Sequence, residues 1–249
     1  MGLRIIPDNV LRLGGRGGLR VSGGGQTYTD RVLALNPIAY WPLNEVAGTS
    51  GAGSVLDVSG NARHATPTSV TFGVAGIGDG ETAAEFDGVS SLINIYTASL
   101  AAAFNSQELS ICAWVLLGEA WSVGAARHIA MLSTAGFGSY LEFYKSNANT
   151  LRFIYAGSAR NTVASFTAWT HVCVSISKSG DYARLFFDGV QQGTDLVSLG
   201  TWTNNLSSSL TVLGALQASG GQNWIGAMAH AAIFSYPLSQ QQVQYIASP

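Results

Sequence analysis

The chain has 249 residues, a length that suits one large β domain or two small ones. Hydrophobic residues make up 47% of it and charged residues only 10%, which excludes a disordered chain and leaves Ser, Thr, Asn, Gln and Gly to form much of the surface. A net charge of −2 gives no basic field for nucleic acid or anionic membranes, and the longest apolar runs, such as Leu109 to Leu117, are far too short to span a bilayer.

Residues 1–30 read as a glycine-rich N-terminal arm. Gly14-Gly15-Arg16-Gly17-Gly18 and Gly23-Gly24-Gly25 interrupt short alternating pieces, Val10-Leu11-Arg12-Leu13 and Leu19-Arg20-Val21. Such a segment is too small to bury a core alone. Ahead of Asp30 at its end, its arginines, Arg4, Arg12, Arg16 and Arg20, stand against a single acid, Asp8. Docking on a partner by strand addition, with the arginines on an acidic surface, is the expectation; a solvated leader is the alternative. Met1 to Asp8 contains neither an apolar signal core nor a small-residue cleavage site, so synthesis in a cytoplasm without a signal peptide is expected.

Residues 31–249 read as one all-β domain. Asn94 to Tyr96, Leu109 to Leu117, Tyr140 to Tyr144, Leu151 to Tyr155, Trp169 to Ile176, Ala183 to Phe187 and Ser209 to Leu213 are short runs rich in Val, Ile, Phe, Tyr and Trp. Turn signals separate them: Asp57-Val58-Ser59-Gly60-Asn61, Asp87-Gly88, Ser146 to Asn149, Lys178 to Asp181 and Asp188-Gly189. Asp188-Gly189 between two apolar stretches predicts a hairpin with a type I′ turn. Short helices are expected only near Thr97 to Phe104 and Ser239 to Ala247. Cys112 and Cys173 fall mid-strand in apolar surroundings and read as two buried small hydrophobes, with a cross-strand disulfide as the alternative.

Seven segments in order resemble the laminin-G-like, concanavalin-type jelly roll. They are Ala39 to Glu45, Leu56 to Thr66, Ala84 to Gly88, Leu109 to Val115, Trp169 to Val174, Leu185 to Gly189, and Ile225 to Phe234 followed by Pro237-Leu238-Ser239. The resemblance implies two antiparallel sheets packed face to face, and a domain that binds carbohydrate or protein. It also implies calcium at the Asp57-x-Ser59-x-Asn61 turn, held by Asp57 and Asn61, although the closing strand has Ala227-Met228-Ala229 where such domains often carry an acid. The alternative is a turn in which Asp57 and Asn61 bond local amides.

Other motifs carry less chemistry. Glu85-Phe86-Asp87 is similar to the acid pair of jelly-roll glycosidases, but Gly88-Val89-Ser90-Ser91 follows where a third acid belongs. His64, His128, His171 and His230 lack metal-ligand spacing. Trp121, Trp202 and Tyr140 fall in or near loops and are the candidate carbohydrate or partner contacts; burial at the ends of the sandwich is the competing role.

These readings lead to a non-enzymatic bacteriophage virion protein, a capsid decoration (cement) or head or tail accessory subunit. It would be fixed by its arm to a major capsid or tail protein and assembled as a homo-oligomer such as a trimer. No nucleic-acid partner and no membrane insertion are expected. A carbohydrate-binding adhesin is the second reading, and a glycoside hydrolase relative the third.

Overall fold

The computed structural model describes residues 26–249 together with the strands β1 (Val10–Gly14) and β2 (Gly18–Ser22). In chain order there follow α1 (Tyr28–Leu33), β3 (Ala39–Trp41), β4 (Thr66–Thr68), β5 (Thr71–Ala75), β6 (Thr82–Asp87), β7 (Leu92–Asn94), α2 (Ala98–Ala103) and β8 (Glu108–Leu117). Then come β9 (Arg127–Ser133), β10 (Tyr140–Lys145), β11 (Thr150–Tyr155), β12 (Ser158–Val163), β13 (Thr170–Ser177), β14 (Tyr182–Phe187), β15 (Val190–Gln191), β16 (Thr211–Leu213), β17 (Ile225–Phe234) and α3 (Gln240–Tyr245).

Two antiparallel sheets face each other, as the resemblance implies. One runs β12-β11-β10-β9-β16-β7-β4; the other runs β15-β14-β13-β8-β17-β6-β5, with β3 also paired to β17. The sequence of β8 shows why it is central. Leu109, Ile111, Ala113 and Val115 enter the core between the sheets, while Cys112 and Trp114 enter a second apolar cluster on the opposite face. A strand apolar on both faces needs cover on both faces. Between the sheets, Trp41, Phe86, Phe143, Phe153 and Tyr155 are fully buried, and burial of one large apolar side chain contributes roughly 1.5–3 kcal/mol.

The outer face of the eight-stranded sheet is roofed by the two helices nearest the ends of the chain. Tyr28 and Val32 of α1, and Val243 and Ile246 at α3, pack in one cluster with Tyr40, Trp114, Phe186 and Phe234. Both helices start with a reciprocal cap, Thr27 with Asp30 and Ser239 with Gln242. Tyr28 Oη donates to the Ile246 carbonyl at 2.8 Å, which locks one helix to the other. Helix α1 was not anticipated from sequence. Its first turn precedes residue 31, so the roof takes in residues that the composition assigned to the arm.

The cysteine expectation is corrected here: Cys112 and Cys173 form a disulfide. The β8–β13 register sets them directly opposite each other with Cα atoms 4.1 Å apart, the close spacing of a non-hydrogen-bonded antiparallel pair. The Asp188-Gly189 expectation holds. Phe187 pairs with Val190, and both turn residues have positive φ, 45° and 77°. In the arm, β1 and β2 pair with each other as a separate two-stranded sheet with Arg12 opposite Arg20; Arg4 and Arg16 lie outside the described residues.

Strand β17 contains one extra residue between Ala229 and Ala232 relative to β8. His230 occupies this bulge at φ 55°. The extra residue reverses the alternation: Met228 points into the main core, and beyond the bulge Ala231 and Ile233 do so instead.

Candidate functional site

Among the described residues no helix roofs the outer face of the seven-stranded sheet, and the residues of that face follow from strand alternation. Leu141, Phe143, Leu151, Phe153 and Tyr155 point inward. The alternate positions Tyr140, Glu142 and Tyr144 of β10, with Arg152 and Ile154 of β11, therefore share the outer face. Cross-strand register arranges them in rows. One row is His128–Tyr144–Arg152–Asn161; the next is Met131–Glu142–Ile154–Ala159.

The site is built on His128. Its ring is fully buried and lies parallel to Tyr144, with centroids 5.1 Å apart. His128 Nε2 sits 2.6 Å from Glu142 Oε1, which fixes the carboxylate across the two strands. The Arg152 guanidinium lies 5.9 Å from the Tyr144 ring centroid. Burial pushes the Tyr144 phenol above its usual value, and the neighbouring Glu142 charge adds to this, so Tyr144 stays a neutral hydroxyl. Tyr140 is half-buried and packs with Leu216 and Ala218 against Leu92, Met131, Val212 and Ala215.

A polar clamp holds the rim beside His128. Arg127 makes a bidentate pair with Glu119 at 3.0 and 2.9 Å and donates to the carbonyls of Gly88 and Asn223. Lys145, fully buried, donates to the carbonyls of Val123 and Ala125. Three loops are thereby tied to the edge of the open face.

The face can recognise hydroxylated ligands. A carboxylate accepts and a guanidinium donates, which suits sugar hydroxyls that do both, and tyrosine rings cover apolar patches. Strands β9 to β12 supply one carboxylate, Glu142, whereas glycoside hydrolysis needs a pair flanking the bond.

The aromatic residues predicted as contacts separate. Tyr140 is on the open face. Trp121 and Trp202 are corrected: both are buried in the main core, at 8% and 4% exposure. Trp121 packs edge-on against Phe166 and donates to its carbonyl; Trp202 packs against Phe104 and Tyr155. Loop position did not imply exposure because both rings close the ends of the sandwich. His128, Glu142, Tyr144 and Arg152 were missed. The period-2 pattern of Tyr-Leu-Glu-Phe-Tyr and Leu-Arg-Phe-Ile-Tyr contains the signal.

The calcium set does not fit. Asp57 Oδ1 accepts the amides of Tyr40 and Ser59, and Oδ2 accepts that of Arg63. Asn61 turns its amide donor to the Ile38 carbonyl and Ser59 Oγ. The guanidinium of Arg63 stands beside this turn and donates to the Ile38 carbonyl. A carboxylate occupied by three amides is a turn brace, not a cation cage.

Glu85 and Asp87 share a cleft of about 380 Å³ with Ser69, Thr71 and Ser91. Partial desolvation of Asp87 is outweighed by the amides of Val89, Ser90 and Ser91 and the Ser90 hydroxyl, which hold its carboxyl far below the usual carboxylate range. It caps a turn as an anion and is unsuited to donate a proton. The remaining histidines bind no cluster: among the described residues no group of three metal-ligating side chains comes together. His171 is fully buried and pushed down to about 3 by burial and by His230; burial takes His230 down to about 4 against the opposing pull of Asp79.

Fold and face together define a lectin-type β-sandwich with one sheet open and one roofed. Residues 87–244 match the family profile described as the concanavalin A-like lectin/glucanases superfamily, and the chain belongs to that superfamily. Among solved structures it is similar to a Trypanosoma rangeli sialidase in complex with sialic acid (13% identity, TM-score 0.62), covering 84% of this chain and 32% of that one. It is similar also to the binding domain of botulinum neurotoxin serotype G (12%, 0.61) and to that of serotype D (12%, 0.60). Each covers 85% of this chain, and this chain spans about half of each, 50% and 51%. Identities this low show the shared fold alone. No curated protein matches the chain. No helix among the described residues is long and apolar enough to cross a membrane.

Proposed function

We propose that the domain is a non-catalytic carbohydrate-binding module whose ligand lies across the open sheet at Tyr140, Glu142 and Arg152. The observation that carries this reading is the buried His128–Glu142 contact. It sets a carboxylate, its side chain 15% exposed, at a fixed place on the outer face of the seven-stranded sheet, one row from a guanidinium. Membership of a superfamily of lectins and glucanases supports it, and the single carboxylate on β9 to β12 favours binding over hydrolysis. A glycan array read with the whole chain tests it. Arg152→Ala and Tyr140→Ala should each weaken the best glycan about tenfold or more, the cost of one charge-assisted bond or one stacked ring. Unchanged binding in both variants, or sugar released from the bound polysaccharide, would overturn it.

The virion setting belongs to this proposal. The arm carries four arginines and two acids, whereas the remaining 219 residues carry eight bases and twelve acids. That asymmetry favours an arm that leaves its own sandwich for an acidic surface in a phage head or tail lattice, where the sandwich would display its open face. Co-sedimentation with virions that survives deletion of residues 1–25 would exclude the arm as the anchor.

A further inference from the structure

The turn that does not fit calcium frames a site of the opposite charge. Arg63 is nine-tenths buried, and its Nε has no hydrogen-bond partner. Its guanidinium is held at one nitrogen by the Ile38 carbonyl. Among the described residues no carboxylate oxygen lies within 4 Å of it. A guanidinium removed from water without an anionic partner is costly, and a ligand that supplies the anion removes that cost. Arg63 lines a cleft of about 520 Å³. Ser59, Asn61 and Asn36 give the cleft hydroxyl and amide groups; Leu33, Ile38 and Val58 give it an apolar wall.

We propose that this cleft binds an acidic sugar through its carboxylate, which pairs with Arg63. Ser59 and the two asparagines take the sugar hydroxyls, and the Leu33–Ile38 wall takes the apolar ring face. A guanidinium receives a planar carboxylate through two parallel N–H bonds, which a neutral sugar cannot offer. The turn is braced for this role from behind. Asp57 holds the amides of Tyr40, Ser59 and Arg63, and His64 Nδ1 accepts the Asp57 amide. The site lies at the start of the sandwich, on residues 33–63, and uses none of the residues of the open sheet face, so it is separate from the proposed glycan platform.

The test is calorimetric titration of the whole chain with glucuronate, glucose and sodium sulfate. Glucuronate should bind saturably and glucose should not. Arg63→Met should weaken glucuronate at least about tenfold, the loss expected for a charge-assisted pair. Arg184→Met, at a guanidinium paired with Asp195 away from both sites, should leave it unchanged, and the glycan array read with Arg152→Ala reports the platform separately, so failure of this site and failure of the platform are told apart. If Arg63→Met unfolds, Ser59→Ala and Asn36→Ala are read instead, and each should weaken glucuronate roughly threefold. Equal affinity in the cleft variants, equal binding of glucose, or sulfate bound as tightly as glucuronate would each overturn the proposal.

Discussion

The two outer faces of the sandwich are built from the same alternating strands and end in opposite states. On the eight-stranded sheet the outward residues are Cys112, Trp114, Cys173 and Phe186, and α1 and α3 close over them. On the seven-stranded sheet the outward residues of β10 and β11 are Tyr140, Glu142, Tyr144, Arg152 and Ile154, with no helix among the described residues above them. The difference lies in the outward-facing positions alone, since the inward ones are equally apolar in both sheets. One face is sealed for stability, and the other keeps polar side chains in fixed positions.

The largest effect should come from the sealed face. Replacing both Cys112 and Cys173 by serine removes a cross-link spanning 61 residues, worth roughly 4 kcal/mol by loop closure. Urea denaturation should report that loss while glycan binding in the native range persists. Loss of binding without loss of stability would break the division between the faces.

Acid should also act on the sealed face. The folded values of His171 and His230, about 3 and about 4, lie below the ordinary 6.5, so the unfolded chain takes up these protons first. Their contribution to stability is complete above about pH 6.5 and falls away as the pH drops toward those folded values. Denaturation midpoints measured from pH 7 to 4 should fall, and His171→Leu should flatten the slope. An unchanged slope would remove His171 from the acid response.

The open face should respond in function, with little change in stability. Glu142→Gln keeps the shape and removes the charge facing His128. It should weaken glycan binding several-fold, about 1 kcal/mol for a hydrogen bond that loses its charge. The smallest effect should come from Ile154→Thr, a half-exposed position beside Glu142, expected within about 0.5 kcal/mol of the parent in stability.

Sequence revealed the parts of this division that depend on local pattern. The β-rich runs and the Asp188-Gly189 turn follow from alternation and from residues that accept positive φ, and the two facing sheets from the resemblance of seven ordered segments. Two kinds of feature did not show. Helix α1 is six residues long and is held by Tyr28 packing on His230 and by the hydroxyl bond to Ile246. Contacts that reach 218 residues along the chain leave no local trace. Strands β9 and β12 were also missed. Arg127-His128 opens β9 with polar residues, and Ser158 to Val163 is a polar, half-exposed edge strand with little apolar signal. Missing β9 hid His128, and with it the site. Trp121 and Trp202 misled for the converse reason, since a loop that folds over the end of a sandwich buries its aromatic ring.

The roof has a geometric outcome. Arg31 donates to the Tyr245 carbonyl and to Ser248, and Tyr245 Oη bonds Gln26. Residue 26 and residue 248 therefore meet on one side of the molecule. Both lie at the roofed face, which is turned away from Tyr140 and Arg152. A partner seated at this junction would leave the opposite sheet uncovered.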